Sequence, residues 1–106
     1  MDTKTLVETY FDSWPDGRWE QMRDCLAERI EFNGVEHDAD TFTEGCSSGV
    51  AWKDVELIEL VVSGDKAALL YDGVDTATGT RMRVGEFLTV ESGKINSIRA
   101  SIMVID

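Results

Sequence analysis

The chain predicts an α+β fold, with helices on one face of a mostly antiparallel sheet. Apolar residues recur at helical spacing near the start, strand-like runs take over from Val55 onward, and turns punctuate those runs, the first and last carrying glycine where hairpin loops need it. A length of 106 residues fits one domain, residues 1–106, and 42% hydrophobic residues can fill one core.

The first element is "TKTLVETYFDSW", in which Leu6, Val7, Tyr10, Phe11 and Trp14 share a helical face. Asp2 or Thr3 can cap its start, and Pro15 ends it near Trp14 because proline lacks the amide proton the ladder needs. After "PDG", with Asp16 as a candidate N-cap, Trp19, Met22 and Leu26 share a face of a second helix. Two such short helices cannot bury each other fully, so they need a sheet. "RIEFNGV" supplies its first strand: Ile30, Phe32 and Gly34 alternate with Glu31 and Asn33. "EHDAD" reads as a polar connection, and Thr41 with Glu44 has capping-box spacing for a third helix. Gly45, Ser47, Ser48 and Gly49 make that helix short or mobile, each glycine costing up to about 1 kcal/mol relative to alanine.

Four runs follow, "DVELIELVVS", "KAALLYDGV", "TRMRVGEFLTV" and "KINSIRASIMVI", separated by "GDK", "DTATG" and "ESG". They read as an antiparallel meander. In the last run both parities are apolar, with Ile98, Ala100, Ile102 and Val104 on one side and Ile95, Met103 and Ile105 on the other. A sheet with one wet face alternates more cleanly, so the second face asks for a cover, most simply a second copy of the chain.

Composition narrows the function classes. A net charge of −11, from 21 acidic and 10 basic residues, argues against nucleic acid or an anionic membrane as partner and serves solubility. There is no apolar run of transmembrane length, and the start, "MDTKTLVETYF", is acidic and amphipathic rather than a leader. Cys25 and Cys46 lie in no metal-ligand spacing and His37 is the lone histidine, so neither a zinc site nor another metal is expected. They read as free thiols in a reducing cytoplasm. "GDKAALL" is a hairpin turn and not a phosphate loop, and Ser47 and Ser48 have no nucleophile-elbow pattern. No cofactor is expected.

The order of elements, with "YFDSWPDGRWEQMRDCLAERIEFNG" at the front and "GEFLTVESGKINSIRA" at the back, resembles the SnoaL-like branch of the nuclear transport factor 2-like superfamily. Ketosteroid isomerase and limonene epoxide hydrolase are relatives in that superfamily. The resemblance implies a cystatin-like α+β barrel: a strongly curved, mostly antiparallel sheet wrapped around three helices from the first half of the chain. It further implies a cone-shaped apolar pocket and a homodimer through the convex sheet face.

For the site, the resemblance implies a pocket tyrosine at Tyr10, whose phenol could donate to a substrate oxygen; Tyr10 equally suits the core beside Leu6 and Trp14. The base expected on the first strand is replaced by Asn33-Gly34. The neutral acid of the isomerase scheme, a worked case of pKa tuning, falls on Gly85, with Glu86 expected on the opposite sheet face. The carboxylate of the epoxide hydrolases falls on Ala100. Replacement bases are Glu36, which follows the parity of Phe32 and Gly34, and His37, which can titrate near neutrality. Asp75 follows the inward parity of Leu69 and Tyr71. Arg99 is expected to pair with a carboxylate on the sheet. The expected pocket wall is Tyr10, Trp14, Phe32, Trp52, Tyr71, Phe87 and Ile102, and Cys46 is a small buried thiol by default.

These residues point first to a domain that binds a small hydrophobic molecule. The alternatives are an isomerase, cyclase, dehydratase or epoxide hydrolase acting on a polyketide- or terpenoid-like compound, with Tyr10 as donor and Glu36, His37 or Asp75 as base, and a purely structural dimerisation module.

Overall fold

The computed structural model describes residues 1–105. Its first helix, α1, spans Thr3–Ser13 and is capped by Asp2, whose side chain accepts from the Thr5 amide at 2.8 Å. Leu6, Val7, Tyr10 and Phe11 are buried along one face, the stripe that helical spacing dictates. Pro15 converts the continuation into a 3-10 turn, Trp14–Asp16. Gly17 closes that turn with φ of 73°, a left-handed conformation that suits glycine. Helix α2 follows at Trp19–Asp24. Asp16 does not cap it: Arg18 holds the N-cap position, and Asp16 lies inside the turn and pairs with the Arg18 guanidinium at 3.1 Å.

Strand β1, Leu26–Phe32, ends earlier than its alternation suggests. Asn33 and Gly34 have φ of 49° and 86°, the two positive values of a tight hairpin turn. The chain therefore reverses into β2, Val35–Asp38, with Glu36 opposite Glu31 and His37 opposite Ile30. The "EHDAD" stretch is thus an edge strand and a helix cap. Asp38 accepts from the Thr41 amide at 2.8 Å and starts α3, Ala39–Ser48, ahead of the expected start at Thr41.

The meander forms as expected: β3 Trp52–Ser63, β4 Lys66–Asp75, β5 Arg81–Glu91 and β6 Lys94–Val104, each antiparallel to the next. The six strands run in the order β2-β1-β6-β5-β4-β3, with β1 parallel to β6. The sheet is therefore mixed, and it curls around the helices. Register irregularities in β3, in the β1–β6 pairing and at Thr89/Val90 supply local bends, since an extra residue in one strand strengthens its twist. The last of these also shifts parity in β6. Ile95, expected across the sheet from Ile98, is fully buried alongside it.

On β5 the side chains of Val84, Glu86, Leu88 and Val90 are buried, whereas Phe87 is 69% exposed. Phe87 therefore lies on the convex face and lines no cavity, a correction to the expected pocket wall that follows from the two-residue period of a strand. Helix α1 and the inward faces of β4, β5 and β6 enclose the core, with Met22 of α2 and Phe42 of α3 closing it from the side.

Candidate functional site

A cavity of about 380 Å³ opens between the concave sheet face and the helices. Tyr10, Trp14, Phe32, Trp52, Tyr71 and Ile102 contribute to its wall, and so do Cys46, Ala100 and Glu86. Each comes from a different structural reason. Tyr10 sits one turn beyond Leu6 on the buried face of α1. Trp14 is held in the 3-10 turn by Pro15. Trp52 opens β3 and packs against Gly73 of β4, where a Cβ would stand 2.7 Å from the indole ring. Asp75 is opposite Trp52 in the ladder. The rings interlock: Trp14 and Tyr71 centroids are 5.3 Å apart, Phe11 and Tyr71 5.0 Å, and Trp14 and Trp52 5.9 Å, in tilted or edge-on arrangements.

The polar end of this cavity is Glu86, which is only 4% exposed. Tyr10 Oη donates to its Oε1 at 2.9 Å, and Tyr71 Oη donates to its Oε2. Burial pushes the Glu86 carboxyl above the usual carboxylate range, and the two phenol hydrogen bonds pull against that rise without cancelling it. Both phenols are driven well above their ordinary value, first by burial and then by the neighbouring Glu86. The Cys46 thiol is pushed up to about 11 by burial and secondarily by Glu86, so it is a poor nucleophile at neutral pH. The Trp14 indole N–H is buried without a partner, a donor left unused in the wall of the cavity.

The acids and imidazole proposed from sequence do not reach this place. Glu36 is exposed beyond the β1–β2 turn and faces Arg29 at 3.6 Å. Its shared parity with Phe32 fails because the chain reverses at Asn33-Gly34. His37 is half-buried outside the cavity, beside Phe42 at 6.2 Å between ring centroids. Asp75 ends β4 and accepts from the Ala77 amide at 2.9 Å, so it builds the β4–β5 turn. Gly85 faces outward between Leu70 and Ser101, and Arg99 pairs with Glu31 at 2.7 Å on the sheet.

The acid that sequence reasoning put on the wrong face is Glu86. Its signal lay in "VGEFLTV", where Glu86 keeps step with Val84, Leu88 and Val90. An acid in the apolar parity of a strand marks a buried carboxyl.

A family model described as a SnoaL-like domain matches residues 7–98. No curated protein matches the chain in sequence. Solved structures that it resembles include a candidate ketosteroid isomerase from Kribbella flavida, at 18% identity and a TM-score of 0.86 over 98% of this chain and 79% of that one. A protein of unknown function with a cystatin-like fold from Methylobium petroleophilum aligns at 18% identity and 0.80, over 98% and 77% of the two chains. A candidate polyketide cyclase from Sinorhizobium meliloti aligns at 19% identity and 0.73, over 92% and 94%. At these identities the likeness carries the fold alone.

Proposed function

The chain belongs to the SnoaL-like domain family, and we propose that its cavity binds one small hydrophobic molecule, with Glu86, Tyr10 and Tyr71 as the polar anchor. The observation that carries this reading is a Tyr–Glu–Tyr network in a wall that is otherwise mostly aromatic and aliphatic. A mostly apolar cleft with a few convergent polar groups is the usual build of a small-molecule site. A buried acid and two buried phenols would not favour folding over an apolar filling of the same shape, so their presence supports a role in recognition. A purely structural module has no need of such a cavity.

A second reading has its own support. Glu86 sits in the cavity with its affinity for protons raised by burial, the property required of a general acid or base near neutrality. The alternative is therefore an isomerase, cyclase, dehydratase or epoxide hydrolase acting on a polyketide- or terpenoid-like compound, with Glu86 moving the proton.

The partners belong to the same proposal. A second copy covers the convex face, where Val61, Phe87 and Met103 are more than half exposed. Nucleic acid and anionic membranes are disfavoured by the net charge of −11. No helix among the described residues is long and apolar enough to cross a membrane. Cys25 and Cys46 are free, which suits a reducing cytoplasm.

Native mass spectrometry of the freshly purified protein tests the binding reading. A small organic species retained by the wild type and lost from Ala100→Phe, which adds a ring to the cavity wall, is the expected result. Identical spectra, with neither protein carrying a ligand from extract or from an added hydrophobic library, count against it.

A further inference from the structure

Among the described residues, Glu86 is a buried carboxyl with no counter-ion. Among the described residues, the arginines that form ion pairs face Asp16, Asp40, Glu36, Asp72 and Glu31 instead. Its neighbours in the ladder are Leu69 and Ala100, and no lysine, arginine or histidine stands in the cavity wall. Yet the site is arranged for the ionised form. Each carboxylate oxygen accepts from one phenol, and hydrogen bonds donated to a carboxylate favour its charged state. When Glu86 is ionised both phenolic protons are committed to it, and the oxygens of the network then only accept from anything that enters. Proteins pair a buried charge. Here the cavity is the one side from which a partner can come.

We infer that the occupant of the cavity is a lipophilic amine, bound as its ammonium ion against Glu86 with its hydrocarbon body among the aromatic rings. This rests on the ligand-pocket reading and narrows it. Trp14, Trp52 and Tyr71, whose centroids lie 5.3 to 6.3 Å from one another, offer π-faces that attract a cation. A metal ion is a poorer occupant: among the described residues no three His, Cys, Asp or Glu side chains gather, and hard cations need several oxygen ligands. The net charge of −11 draws cations and repels carboxylate ligands. In the empty cavity burial favours the protonated carboxyl. A neutral amine entering it takes that proton: the Glu86 O–H bond breaks, an N–H bond forms, and the resulting ion pair is held by the two phenols.

Calorimetric titration of the intact protein near neutral pH with three probes of one hydrocarbon cage tests the assignment: 1-adamantanamine, 1-adamantanol and 1-adamantanecarboxylic acid. The amine is expected to bind roughly tenfold or more tightly than the alcohol, the margin of a charge-assisted over a neutral hydrogen bond. The acid is expected not to bind. In Glu86→Gln the amine should lose its margin over the alcohol. An alcohol that binds as well as the amine, or an amine that keeps its margin in the variant, overturns the ammonium assignment and leaves the pocket reading standing. Failure of all three probes overturns both. The wild-type ranking decides the matter even if Glu86→Gln does not fold.

Discussion

Glu86, Tyr10 and Tyr71 are a balanced set, and the balance predicts how each fails alone. Glu86→Leu leaves two buried phenols without their acceptor, and an unsatisfied buried polar group costs about 1–3 kcal/mol. Removing all three polar ends together, as Tyr10→Phe, Glu86→Leu and Tyr71→Phe, leaves no orphan. That triple variant should fall within about 1 kcal/mol of the wild type, or exceed it, because an apolar replacement of a whole network is close to neutral. Denaturant unfolding of the single and triple variants measures the difference, and a triple variant weaker than Glu86→Leu contradicts it. The same carboxyl sets a pH dependence. Its folded pKa lies above the unfolded value, so its contribution to stability is complete below the ordinary carboxylate range and declines as pH rises through the raised folded value. Asp2 and Asp38 at helix caps, and Glu31 and Asp72 in ion pairs, are lowered. Their contributions are present above the ordinary range and are lost as pH falls through the lowered values. Unfolding curves across pH should show Glu86→Gln removing the decline on the rising side and leaving the acid limb in place. Glu86 was legible from its parity with Val84 and Leu88. What hid it was the alignment of Gly85 with a family position, which overrode the period of the strand itself.

Elements set where these side chains point, and two glycines separate geometry from propensity. Gly73 lies beneath Trp52, with a Cβ position 2.7 Å from the ring. Gly73→Ala must push the indole off β4, which should cost about 1–3 kcal/mol as overpacking and shift the tryptophan fluorescence. Gly45, in α3, has open space around its Cβ position. Gly45→Ala should stabilise the helix by about 0.5–1 kcal/mol, read as a higher melting temperature. If Gly73→Ala were tolerated as well as Gly45→Ala, Trp52 would not be fixed by that strand. The amphipathic helices and the meander were readable because each buries one face, and burial imposes a period. The β1–β2 hairpin was not, although Asn-Gly is a strong hairpin signal. Val35, Glu36 and Asp38 of β2 are exposed at the sheet edge, so no apolar alternation announces a strand there. The start of β6 misled for a related reason: a register shift in the β5–β6 ladder puts Ile95 and Ile98 on one side, and a bulge leaves no mark in composition.

At the scale of the molecule, a chain of net charge −11 should repel its own copy, and an apolar row on the convex face is what could oppose that. Val61, Ala68 and Phe87 form one row across β3, β4 and β5, flanked on the same face by Leu70 and Met103. Two guanidinium groups there are matched, Arg83 with Asp72 and Arg99 with Glu31, each at 2.7 Å. The middle of that face is thus an apolar row beside two matched ion pairs. Association through it should be driven by apolar burial and opposed by long-range repulsion, which salt screens over about 10 Å at moderate ionic strength. Sedimentation velocity should therefore show a dimer that tightens as salt is added, the opposite of an interface held by attraction between opposite charges. Phe87→Glu should give a monomer at every salt concentration tested. Because Phe87 and Glu86 project from opposite sides of β5, that monomer should keep the probe affinities of the wild type. A wild type that is monomeric throughout removes the dimer, and a Phe87→Glu protein that loses probe binding shows that the cavity needs the second copy to hold its shape.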